Sequence, residues 1–480
     1  MQLLRVQVAQ LREARAVQAV SQHALGRGSP PPTPAEGSLP QPLDHFDRLE
    51  LRTFPQRFWI NAEFWRRPDG PVFLYVGGES ALSPFSVLAG HHVELGRAHA
   101  ALVVALEHRF YGASLNADGL RDRPLRFLSS QQALADVAAF HQFVTHKFNV
   151  SRGSPWVAFG GSYPGALAAW LRVKFPHLIF AAVASSAPVR AQLDFAAYNQ
   201  VVAASLSDPL VGGSTDCRAA VAAAFAVLDE RLRGGRLAEL AQDFGVCGGV
   251  LGPDDGAELA ASAADVFMAA AQYNSEALPG AHVAPVCALM TDAARGDPYR
   301  RLVALNRDVL RHTGQNCTMA SRAGAVAELR GVGLQLVGPG ERQWLFQTCT
   351  EFGYYQTCED AACPFSRAVT LRRELKLCAE VFGVPPARVG PAVAFTNACY
   401  GAARPRAARI LFINGDIDPW HALSVTRTET PARPAVLIRG GSHCADMAPA
   451  RPADPPALVR ARQLVAGHLQ RWLQQAPPDP

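Results

Sequence analysis

Short apolar runs and longer amphipathic stretches alternate along this chain, and the two spacings predict different elements. Val72–Val76, 101–106, 156–159 and 180–184 are continuous apolar runs, too uniform for strands with one wet face, which predicts buried parallel strands. Between the second and third of these, Leu134, Val137, Phe140 and Val144 recur at helical spacing. Ser129 or Ser130 stands ahead of them as an N-cap, so a crossover helix is predicted from Ser130 to Phe148. Strands that alternate with helices predict an α/β fold.

After Pro188 the pattern changes. Ala- and Leu-rich helical segments follow at 218–233, 257–273 and 298–312, and no strand alternation is legible until about Cys399. Strand-like runs return at 410–413 and 435–438, followed by an amphipathic helix over 456–473. The simplest assembly returns these last strands to the first sheet. It leaves 191–400 as an inserted, mainly helical cap between two parts of the sheet domain, 43–190 and 401–480. Residues 29–42 are rich in Pro, Gly and Ser, which predicts a loop and makes 1–42 a lead-in, with the folded domain starting near Leu43.

At 480 residues the chain exceeds what one hydrophobic core usually organises, in agreement with a large insertion. Its formal charge of +5 is spread over single arginines, without the basic stripe and interleaved aromatics that phosphate binding needs, so nucleic acid is not an expected partner. No run approaches the roughly 20 apolar residues of a spanning helix, and no membrane contact is expected.

Ten cysteines all lie between Cys217 and Cys444, an even number in the second part of the chain, which predicts disulfides that staple the insertion. The sequons Asn149-Val-Ser and Asn316-Cys-Thr point to the same oxidising, secretory compartment. A zinc site would use paired Cys-x-x-Cys units. The nearest spacing, Cys358 to Cys363, has four residues between, so neither metal nor cofactor is expected. Residues 1–28 disagree with secretion, because Arg5, Arg12, Glu13, Arg15 and His23 interrupt any apolar h-region and no signal peptide is legible. The expectation is a misassigned N-terminus.

The strongest chemical signal is the segment from Trp156 to Trp170, where an apolar strand runs into Gly160-Gly161-Ser162 and a helical pattern begins at once. That is the context of a nucleophile elbow, with Ser162 as nucleophile and the Tyr163 N–H as oxyanion donor. Pro164 stands where a glycine is usual. It is acceptable in a first helical turn but disfavours helical backbone at Tyr163, so an adjustment is expected there. Two later strands also end in loops with reactive groups: Ile410-Leu-Phe-Ile-Asn-Gly-Asp-Ile-Asp-Pro-Trp420 offers Asp416 and Asp418, and Val436-Leu-Ile-Arg-Gly-Gly-Ser-His443 offers a histidine. A neutral imidazole can take the serine proton while a carboxylate fixes its tautomer. Asp416 directly follows the Asn-Gly turn and reads as a turn former, so the triad is assigned to Ser162, Asp418 and His443. The second oxyanion donor is expected from Gly77-Gly-Glu-Ser80, at Gly78. Glu79 is a loop residue or a contact for a charged peptide terminus. Glu107-His-Arg-Phe-Tyr-Gly112 is expected to be a hydrogen-bonded structural knot beneath the site.

These segments, with Lys174-Phe-Pro-His-Leu-Ile-Phe, Ala184-Ser-Ser-Ala-Pro-Val, Trp344-Leu-Phe-Gln-Thr-Cys-Thr-Glu-Phe-Gly and Gly441-Ser-His-Cys-Ala-Asp-Met, resemble the serine peptidase family that contains lysosomal Pro-X carboxypeptidase and dipeptidyl peptidase II. The resemblance spans about residues 43–475. It implies an α/β-hydrolase fold with a helical cap, no metal, and cleavage of peptides beside proline in endosomes or lysosomes, and for a thymic member the trimming of peptides for presentation. Carried over by position, it implies the same triad. Ser80 and Pro164 depart from the family pattern. A proline-sized pocket would need aromatic walls, for which Trp420, Tyr163 and the segment from Trp344 to Phe352 are candidates.

Peptides are therefore the expected partners, and a homodimer is left open. Two rival readings remain. A lipase or esterase could use the same triad under an apolar lid, and a peptide-binding protein could have lost turnover through Pro164.

Overall fold

The apolar runs pair into one sheet. A computed structural model describes residues 2–27, 33–275, 282–333 and 339–476. Its strands are β1 (Ala35–Pro42), β2 (Thr53–Asn61), β3 (Val72–Val76), β4 (Leu102–Leu106), β5 (Trp156–Gly161), β6 (Ala181–Ser185), β7 (Gln192–Asp194), β8 (Gly353–Tyr355), β9 (Ile410–Gly415) and β10 (Ala435–Ile438). Eight of them form a sheet in the order β1-β2-β4-β3-β5-β6-β9-β10. The pairs from β4 to β10 are parallel and the two involving β2 are antiparallel. The chain is thus an α/β-hydrolase, and β9 and β10 rejoin the first sheet after an excursion of more than two hundred residues.

Both faces of this sheet are covered, which is why its strands read as unbroken apolar runs. Val72, Leu74, Trp156 and Ala158 face one core, together with Leu134, Val137, Phe140 and Val144 of the helix Ser130–Phe148. Phe73, Val157 and Phe159 face the other, against Leu458, Val465, Leu469 and Trp472 of the helix Pro456–Gln474. The crossover helix has its predicted bounds. Ser129 caps it by accepting from the Gln132 N–H, and Asn149 ends it in the left-handed region at φ 51°.

Two expectations are corrected. The segment read as loop holds β1, an edge strand antiparallel to β2, so the sheet begins before Leu43; residues 29–32 lie outside the described residues. Pro40 and Pro42 are tolerated because an edge strand needs ladder donors on one side only. The stretch between β6 and β9 is mainly helical but also carries β7 and β8, a short parallel pair of their own.

Four disulfides staple that stretch: Cys217–Cys287, Cys247–Cys317, Cys349–Cys378 and Cys358–Cys363. Cys399 and Cys444 are free thiols. No described helix is long and apolar enough to cross a membrane.

Candidate active site

β5 delivers the elbow. Ser162 follows it at φ 65°, ψ −133°, a region that only glycine visits without strain, and the helix Tyr163–Lys174 begins at the next residue. The glycines around it permit close approaches. A Cβ at Gly161 would stand 2.9 Å from Cys444 Sγ, and one at Gly165 would stand 2.7 Å from the Ser185 carbonyl oxygen. The expected backbone adjustment at Tyr163 does not occur, since Tyr163 is helical although proline follows it. The contact of the proline ring with the Tyr163 backbone is borne there, and the Tyr163 ring is held in place by partners described below.

Asp418 and His443 meet. The Asp418 carboxylate, fully buried, holds His443 Nδ1 at 2.9 Å through Oδ2 and accepts the Trp420 N–H at 3.1 Å through Oδ1. Burial alone would lower the His443 ring, but the Asp418 carboxylate, with Cys444 beside it, overrides that and holds the imidazole well above its usual value. Asp416 is occupied elsewhere: it accepts the Gly440 N–H at 2.6 Å and so ties the ends of β9 and β10 together. The loop after His443 lies against the elbow, because the Cys444 N–H donates to Ser186 Oγ at 2.9 Å and the Ser162 N–H donates to the Ser185 carbonyl at 2.9 Å. Among the described residues no hydrogen bond joins the Ser162 hydroxyl to the His443 ring.

Gly78 packs on the elbow from the opposite side. A Cβ there would stand 2.5 Å from Pro164 Cδ and closer still to Cγ, so the glycine is what makes room for the proline. The Tyr163 N–H, first in its helix, has no intrahelical acceptor. Glu79 follows Gly78, and its carbonyl accepts from Gly340, which brings the helix Glu341–Gln347 beside this loop.

The segment from Glu107 to Gly112 is a knot. Glu107 accepts from Ser114 Oγ at 2.6 Å and the Leu82 N–H at 3.0 Å. Arg109 grips Asp136 with two donors at 2.6 and 2.7 Å and reaches the carbonyls of Leu43 and Phe127.

Aromatic rings line one side of the elbow. Tyr163 lies 5.6 Å from Trp344 and 5.4 Å from Phe352, Tyr354 lies 5.5 Å from Trp420, and Trp420 lies 6.3 Å from His443, centroid to centroid. Trp344, Trp420 and Tyr163 therefore belong to one wall. Asn149 and Asn316 are far simpler: both are exposed.

Several groups at the site were not found by sequence reasoning. The Gln272 carbonyl, at the end of the helix Gly256–Gln272, accepts the His443 N–H at 2.9 Å, while its side chain accepts from Tyr198 at 2.6 Å and donates to Tyr273 at 2.9 Å. Arg12 of the helix Gln2–Arg27 donates to the His443 carbonyl at 3.3 Å. Gln347 donates to the Tyr163 hydroxyl from below and to Glu351 behind it. Backbone acceptors carry no signal in a sequence. Gln347 and Glu351 did have one, as the amide and the carboxyl four apart in a stretch that carries Trp344, Phe346 and Phe352.

A family profile described as serine carboxypeptidase S28 matches residues 41–465. The chain is 49% identical over 456 residues to the thymus-specific serine protease of Mus musculus, covering 94% of this chain and 89% of that one. It is 48% identical to the thymus-specific serine protease of Homo sapiens, covering 92% and 87%. Lysosomal Pro-X carboxypeptidase of Mus musculus is 27% identical, with 93% and 91% covered.

Proposed function

The chain belongs to the serine carboxypeptidase S28 family and is a serine peptidase, and from that premise we propose that Ser162, His443 and Asp418 are its triad and that it is an exopeptidase cleaving beside proline. The observation that carries the reading is the Asp418–His443 hydrogen bond at 2.9 Å, beside an elbow whose serine is held at φ 65°.

In this mechanism Ser162 Oγ attacks the scissile carbonyl carbon while its proton passes to His443 Nε2. Asp418 keeps the other ring proton on Nδ1 and stabilises the imidazolium. The oxyanion that forms is met by the N–H groups of Tyr163 and Gly78. His443 then gives its proton to the departing amine, leaving an acyl-enzyme, and water repeats the sequence to release the acid and restore Ser162.

The wall formed by Tyr163, Trp344 and Trp420 supports a pocket for a flat, apolar ring such as that of proline, and Glu79 would meet a charged peptide terminus. Four disulfides and the exposed sequons at Asn149 and Asn316 support residence in the secretory pathway and in endosomes or lysosomes, with those asparagines glycosylated. Trimming of peptides for presentation in the thymus is the physiological role that fits these properties.

A peptide-library digest comparing the wild type with Ser162→Ala tests the reading. The wild type should release products cut next to proline from one chain end, and the variant should release none. Internal cuts without regard to proline, or equal products from both proteins, would contradict it.

A further inference from the structure

Beneath the elbow lies a buried carboxylate that the mechanism above does not use. Glu351 sits in a single π-helical turn, Thr348–Phe352, that continues the helix Glu341–Gln347, and Gln347 precedes it by four residues on the same side. Its two oxygens accept from the Ser130 N–H at 2.9 and 3.0 Å, from Ser130 Oγ at 2.6 Å and from Gln347 Nε2 at 3.2 Å. Tyr400 lies 2.9 Å from the same Ser130 hydroxyl. No cation pairs with Glu351 among the described residues.

The direction of the hydrogen bonds follows from one carbonyl. The Arg109 carbonyl can only accept, so His108 Nδ1 donates to it at 2.8 Å and Nε2 is left as an acceptor. The Tyr163 hydroxyl, 3.0 Å from that Nε2, must donate to it. Its oxygen is then an acceptor, and the Gln347 amide must present its NH2 there, at 2.9 Å, with the second N–H directed to Glu351. Tyr111 completes the amide by donating to Gln347 Oε1 at 2.7 Å. With Glu351 ionised, Ser130 and Gln347 both donate to it, and the Gln347 amide is held with its NH2 toward Tyr163. A proton on the Glu351 oxygen that faces Gln347 would oppose that N–H and turn the amide over, drawing the Tyr163 hydroxyl hydrogen to the amide oxygen and leaving His108 Nε2 without a donor.

We propose that Glu351 is a positioning residue which, as a carboxylate, holds Tyr163 through Gln347 and so keeps the N–H after Ser162 aimed at the oxyanion. This rests on the triad reading above. The groups facing Glu351 are Ser130, Gln347, Tyr111, Tyr163, Tyr354 and Tyr400. Burial raises its carboxyl to about 7, against the hydrogen bonds from Ser130 and Gln347, which lower it. The sign follows: the competent form is the deprotonated one and is lost as pH falls through neutrality. His443 is also disabled by protonation, so the wild type should lose two protons' worth of competence on its acid side.

The test is the second-order rate of Ser162 labelling by a fluorophosphonate, measured from about pH 5 to 9 in the full chain, with the unfolding temperature recorded for each variant. The wild type should show a logarithmic rate falling with a slope approaching two below both ionisations. Glu351→Gln keeps the size but fixes the neutral form. It should label roughly tenfold more slowly at high pH, in the range for residues of one hydrogen-bond network, with an acid slope of one. In a Tyr163→Phe background, Glu351→Gln should add nothing. Unchanged rate and slope in Glu351→Gln, or a loss that persists in the Tyr163→Phe background, overturns the proposal. If Glu351→Gln does not fold, Gln347→Leu carries the same expectation, because it removes the amide that joins Glu351 to Tyr163, together with the acceptor of the Tyr111 hydroxyl. A wild type that is not labelled at Ser162 at any pH sinks the triad reading instead.

Discussion

Asp416 and Asp418 stand two positions apart on one loop and do different work. Asp418 faces the imidazole, while Asp416 faces the Gly440 N–H. Asp418→Asn should therefore lower kcat by about 10⁴-fold, since an amide supports the wrong imidazole tautomer. Asp416→Asn keeps an oxygen for Gly440 and should leave kcat within a few-fold of the wild type. Steady-state kinetics on one released peptide compares the two, and a larger loss at Asp416 would reverse the assignment. The different contacts of the two were legible in the chain because Asp416 abuts the Asn-Gly turn. Ser162 and His443 were legible as well, each closing a strand through glycines. Gln272 was not, because it acts through a carbonyl that every residue possesses.

At the scale of elements, the buried strands were readable and the edge was not. Runs such as Leu102–Leu106 are covered on both faces and contain no polar residue, whereas β1 is Ala-Glu-Gly-Ser-Leu-Pro-Gln-Pro, mostly turned to solvent and broken by prolines. Its partner β2 alternates exposed and buried positions in its first half, Thr-Phe-Pro-Gln, but not apolar and polar residues, with Pro55 opposite Pro40. Both owe their place to a neighbour distant in sequence. The contact between the Gly78 loop and the start of the helix Tyr163–Lys174 makes a prediction at this scale. Gly78→Ala drives a methyl into Pro164 and displaces the loop from the elbow, so kcat should fall by about 10²-fold, as for loss of an oxyanion donor. Adding Pro164→Gly removes the ring it strikes and should restore much of that rate. A double variant no better than Gly78→Ala would show that the loop fails for another reason.

For the molecule as a whole, the cap is stapled and the sheet is not. Cys217–Cys287 and Cys247–Cys317 each close 70 residues of chain, worth about 4 kcal/mol apiece in the chain-entropy account. Replacing Cys217 and Cys287 by serine should lower the temperature at which fluorophosphonate labelling is lost by several degrees. The circular dichroism of the sheet core should follow only at higher temperature; simultaneous loss of both signals would mean that cap and sheet unfold as one unit. The expectation of separate losses comes from the helix Gly256–Gln272, whose last carbonyl receives the His443 N–H. In the proposed triad the general base is thus fastened to the roof above it. Lifting that roof to admit something bulky slackens the base at the same moment, so the machine can be wide open or armed, but not both. On that reading a folded protein, which could enter only by prising the halves apart, should be spared, and short flexible chains that slip in beneath should be what is cut.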